Sequence, residues 1–185
     1  MADVIDFEEF KVIKRKRDRF STWFSRLGYL PDPDFTIKDL PDHVLLSLAE
    51  AGCPGNALLD ELILNVWGEP HRDSRSLPLV KRMRLIDVSL FLIDNFRFEC
   101  MFRLGWVEEF QARSIPISQL IIMGEQERKP LKVVPRLTQR HPHHQRFVKM
   151  MERERDGFLR RMIPSALEQF RSRVKKERDP DPKRP

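Results

Sequence analysis

The chain has 185 residues and a net charge of +6, with 41% hydrophobic and 34% charged residues. This balance fits one folded domain with a real core and excludes global disorder. Two cysteines do not make a disulfide framework, seven glycines leave few phosphate-cradling loops, and no run of about 20 apolar residues exists to cross a bilayer.

In chain order, helix signals dominate. Asp6 and Glu9 form a capping-box pattern that opens a predicted helix over 6–27. Phe10, Ile13, Phe20, Phe24 and Leu27 fall on one face of it, with Arg17 snorkelling inside the stripe. Gly28 fits the stop, and Pro31 and Pro33 prevent continuation. A second helix is expected over 41–51, with Pro41 in the first helical position. A third is expected over 57–67, with Asn56 as N-cap and Leu58, Leu59, Leu62, Ile63 and Val66 inside. The CPGN segment reads as the tight link of a helical hairpin.

After a polar loop at 69–76 comes the most hydrophobic helix, over 77–104, apolar around much of its circumference and therefore central. Trp106, Val107 and Phe110 point to a short following helix. Residues 114–135 are broken by Pro116, Pro130 and Pro135; a short helix then extended chain is favoured over a hairpin of 117–123 with 131–134. From Pro142 the helix signal returns, with Phe147, Met151, Phe158 and Met162 on one stripe. Pro164 is expected to break or kink that rod, and Ser165 with Glu168 to cap a new helix carrying Leu167, Phe170 and Val174. Residues 179–185 read as a disordered tail.

The predicted fold is an all-α, irregular bundle of about five to seven helices with a long, proline-interrupted, basic C-terminal helical arm. Its organisation is a bundle over 1–112, an irregular connector over 113–141, the arm over 142–178 and the tail. The acidic N-terminus lacks a signal-peptide layout, and a reducing, cytoplasmic setting is expected.

Charge is unevenly placed. Residues 1–127 carry 16 Lys and Arg against 21 Asp and Glu, net −5, whereas 128–185 carry 18 against 7, net +11. The arm holds Arg146, Lys149, Arg153, Arg160, Arg161, Arg171, Arg173, Lys175 and Lys176. Such a surface attracts an acidic protein or the acidic part of a second copy, and nucleic acid is the alternative. Phe147, Phe158 and Phe170 sit on the arm's apolar stripe, which makes them core residues and not base-stacking platforms.

Two smaller constellations carry possible chemistry. On the central helix, Arg84, Asp87, Asp94 and Arg97 form a polar seam that reads either as a cation or polar-ligand site or as two local ion pairs, Arg84 with Asp87 and Arg97 with Asp94. His141, His143 and His144 are weak metal candidates, without a nearby Cys and with no acidic residue closer than Glu152. The run Lys14, Arg15, Lys16, Arg17 resembles an import signal, but on a helix it points all round the axis. No P-loop, GxGxxG, HExxH, GxSxG or CxxC is present, Cys53 and His43 stand ten residues apart, and adjacent Glu108 and Glu109 diverge on a helix. No cofactor is expected. The leading expectation is a non-enzymatic interaction or assembly protein acting through the basic arm. Alternatives are a nucleic-acid-binding protein using the same arm, or an enzyme or ligand-binding protein built around Asp87 and Asp94.

Overall fold

A computed structural model describes residues 7–32, 34–50, 52–70, 73–126 and 134–178. The expectations placed on Asp6, Pro33, Ala51, 131–133 and 179–185 lie outside them, as do the side chains of Glu9, Phe10, Ile13 and Cys53. The described residues form eight α-helices and no strand, an all-α bundle.

The expected first helix divides at Phe20 into α1 (Phe7–Arg19) and α2 (Ser21–Leu27). The cause lies in α4 (Cys53–Val66), which supplies the polar groups that two new helix ends need. The Glu61 carboxylate accepts the backbone N–H groups of Thr22 and Trp23 at 3.0 and 3.2 Å, capping α2 from outside. Asn65 Nδ2 donates to the Arg19 carbonyl at 2.7 Å and so serves the end of α1. Trp23 is fully buried, and its indole N–H donates to the Leu58 carbonyl at 2.8 Å. Gly28 closes α2 at φ 61°, a left-handed conformation that favours glycine. Arg17 lays its guanidinium 4.0 Å over the Phe24 ring.

Helix α3 (Asp42–Ala49) begins one residue after Pro41. Helix α4 starts at Cys53, four residues before the expected start. The CPGN segment is thus its first turn, with Pro54 early in the helix, where a missing N–H is harmless. Gly55 allows that turn to touch α3: a Cβ there would lie 2.7 Å from the Ser47 carbonyl oxygen.

Helix α5 (Leu79–Arg103) is the 25-residue axis of the molecule. It packs against α3, α4, α6 (Ile117–Gln126) and α8 (Glu152–Arg178). The expected helix after Gly105 is instead a single antiparallel bridge between Val107 and Leu137, followed by a 3-10 turn over Gln111–Ser114. A short α7 (His144–Lys149) precedes α8.

Pro164 sits inside α8, which nevertheless runs unbroken over 27 residues, so the expected break and new cap at Ser165 do not occur. Tertiary packing outweighs the lost backbone bond. Leu159, Ile163 and Ala166 before and after the proline are buried in one apolar cluster, and Phe170 and Val174 in another. The cluster that holds Phe170 and Val174 joins α2 through α6. The cluster that holds Leu159, Ile163 and Ala166 joins the end of α5, Val107, Phe110, Leu137 and α7. The arm therefore lies along the body, and its apolar stripe is consumed there. Met151 is the exception at 59% exposed, because the chain breaks between α7 and α8 and turns it outward.

Candidate functional site

The polar seam of α5 is not one site. Arg84 reaches across to Glu125 of α6 at 3.7 Å, and Asp87 stands exposed beside it. Asp94 pairs with Arg97 at 3.6 Å and more closely with Arg160 of α8 at 2.6 Å. Arg97 also donates to the Ala49 carbonyl at 3.0 Å. The seam thus couples α5 to α6, α3 and α8 instead of leaving two carboxylates in a common cavity.

A larger polar constellation escaped the sequence reading. Glu99 has no solvent exposure, yet it lies on the main helix of the core. Arg103 Nε donates to one of its oxygens at 2.9 Å and Arg113 Nε to the other at 2.8 Å. Arg103 extends further, to Asp42 at 2.5 Å and to the Leu40 carbonyl at 2.8 Å. Burial disfavours the charged Arg103 guanidinium, but bonds to Glu99 and Asp42 outweigh this and raise its pKa. Arg173 completes the network from α8, 3.2 Å from Asp42 Oδ2 and 2.9 Å from the Arg103 carbonyl. Five charged side chains from α3, α5, the 3-10 turn and α8 pair in one network, in which Asp42 Oδ2 has the ion pair with Arg173 but no hydrogen bond. The only hint in sequence was Glu99 and Arg103 four residues apart on an apolar helix.

The histidines are structural neighbours of aromatic rings. His141 packs on Trp106 at 5.3 Å between centroids and His143 on Phe158 at 6.0 Å. The backbone N–H of His143 donates to His141 Nδ1 at 3.2 Å, and His144 Nδ1 is 3.0 Å from the Leu137 carbonyl. Burial, then the neighbouring His143, hold the His141 pKa below its ordinary value. Among the described residues, no group of three or more His, Cys, Asp or Glu is placed to hold a metal.

The basic arm divides into two sets. Arg160 is bound to Asp94 and Asp156, Arg171 to Glu50 at 2.7 Å, and Arg173 to Asp42 and Glu177. These three fasten α8 to the body and to itself. Arg146, Lys149, Arg153, Arg161, Lys175 and Lys176 are exposed and have no carboxylate partner among the described residues. Burial of Phe158, Leu159, Ile163, Phe170 and Val174 fixes the inner face of α8, so Arg153, Arg161 and Lys175 project from the opposite side. Arg161 and Lys175 are four turns apart, about 21 Å of rise. Glu168 lies on the same face and dilutes it locally. Arg146 and Arg161 flank the Phe158 ring at 5.6 and 5.9 Å, which limits their freedom and leaves their charge unneutralised. An open groove of about 930 Å³ runs beside this surface, between Val134, Phe147, Met151 and Arg153.

No protein family, curated protein or solved structure matches this chain significantly. Among the described residues, no helix is long and apolar enough to cross a membrane.

Proposed function

We propose that this chain is a non-enzymatic interaction or assembly protein that engages an acidic protein surface through the outer face of α7 and α8. The carrying observation is the set of six exposed cations, two on α7 and four on α8, that have no carboxylate partner among the described residues. Holding them on helices packed against the body lowers the ordering cost of binding. Their charge steers an acidic partner and is screened by salt.

Phe147, Phe158 and Phe170 are 2%, 7% and 0% exposed, so no aromatic of the arm is offered for base stacking. This favours an acidic protein over single-stranded nucleic acid. The test is fluorescence anisotropy with an acidic peptide and a DNA duplex at low salt. Binding of the peptide with little retention of the duplex supports the proposal. Preference for the duplex replaces it with the nucleic-acid reading, and binding of neither removes both.

A further inference from the structure

The first three turns of α5 present a second, chemically different surface. Leu79, Val80, Met83, Ile86 and Leu90 are 62%, 66%, 57%, 53% and 56% exposed. Leu79, Met83, Ile86 and Leu90 follow steps of 4, 3 and 4, the spacing of a coiled-coil seam. Among the described residues the stripe has no partner, because α5 is packed on its other sides. Leu85, Val88 and Leu92 are buried in the core, and Gly124 of α6 brings its backbone against Phe91 and Val88. The seam ends where Ile93, at 3% exposed, enters the core.

We propose that this stripe pairs with the same stripe of a second copy, the two α5 helices running parallel. Charge complementarity selects this occupant and this direction. Arg82 and Asp87 flank the stripe, are both exposed, and have no ion-pair partner among the described residues. They are five residues apart and on opposite flanks. In a parallel pair that spacing sets Arg82 of each copy against Asp87 of the other, twice by symmetry. In an antiparallel pair the like flanks meet and the two charges fall on opposite sides of the seam. The five side chains offer on the order of 500 Å² per copy, near the lower limit for a specific dimer. This surface is separate from the cationic face of α7 and α8, and its failure leaves that proposal standing.

The test is sedimentation of the full chain up to about 200 μM. The expected result is a concentration-dependent dimer that Ile86→Glu weakens at least about 30-fold, with an unchanged helical circular-dichroism spectrum because the position is exposed. Arg82→Glu weakens the dimer about tenfold, and adding Asp87→Arg restores it. Leu90→Cys cross-links to itself on mild oxidation above the wild-type background. In an antiparallel pair, position 90 would face position 79 of the other copy, about 16 Å along the helix from its own twin. A monomer throughout the range overturns the proposal, whatever else then covers the stripe. A dimer unaffected by Ile86→Glu overturns it as well. Cross-linking confined to mixtures of Leu79→Cys and Leu90→Cys overturns the parallel arrangement.

Discussion

Glu99 and Arg113, fourteen residues apart in the chain, meet through a 2.8 Å bond inside the protein, and the carboxylate has no exposure to solvent. With Arg103 on its other oxygen, Glu99 pairs with two guanidinium groups that are themselves mostly buried and that Asp42 and Glu109 also contact. Glu99→Gln removes that charge without changing the shape. The expected cost is about 3 kcal/mol, since breaking a buried pair leaves charges uncompensated. Glu109→Gln, at the exposed end of the same network, should change stability by less than about 0.5 kcal/mol. Urea unfolding of both variants checks the contrast.

Gly55 marks the closest approach of α4 to α3. An added Cβ would meet the Ser47 backbone oxygen at 2.7 Å, and a backbone atom cannot swing aside as a side chain can. Gly55→Ala should therefore destabilise by about 1–3 kcal/mol, although alanine is the better helix former. Thermal unfolding reads the result directly.

Pro164 is exposed within α8. Pro164→Ala restores a backbone donor to the helix and should stabilise by about 1–3 kcal/mol. The measurement is the denaturation midpoint, with the oligomeric state unchanged.

These sites also show what was legible in the sequence. The all-α class and the inward face of α4 followed from spacing, because Leu58, Leu59, Leu62 and Ile63 repeat at the helical period. The break at Phe20 did not, since its cause is Glu61 and Asn65 on another helix. Continuity through Pro164 was hidden for the same reason: local propensity argued for a stop, and packing of Ile163 and Phe170 overruled it. The Glu99 network joins residues 42, 99, 103, 113 and 173, and only the fold brings them together. In the candidate surface, the nine basic residues of the arm were visible. Their division into fastened and free members was not, because Asp42, Glu50 and Asp94 are remote in sequence.

His141 gives the protein a sensitivity to mild acid. Its folded pKa is lowered by burial and by His143, so the unfolded chain binds the proton more readily. The associated stability is present above the ordinary value of about 6.5 and is lost as pH falls through the folded pKa. Asp39 acts in a lower window. Hydrogen bonds from Thr36 lower its pKa, so its contribution is present above the ordinary carboxylate value and lost as pH falls below it. The thermal midpoint should therefore fall between pH 7 and 5, and His141→Phe should flatten that part of the curve while leaving the acid limb.

The proposed partner surface depends on Arg153, Arg161 and Lys175 being charges that no described carboxylate neutralises. The most direct measurement is the affinity for an acidic peptide across a salt series, for the wild type and for the variant with all three reversed to Glu. The expected result is binding that weakens steeply with salt, an affinity at least about tenfold lower in the variant, and unchanged thermal stability. Equal affinities and equal salt dependence in the two proteins would contradict it.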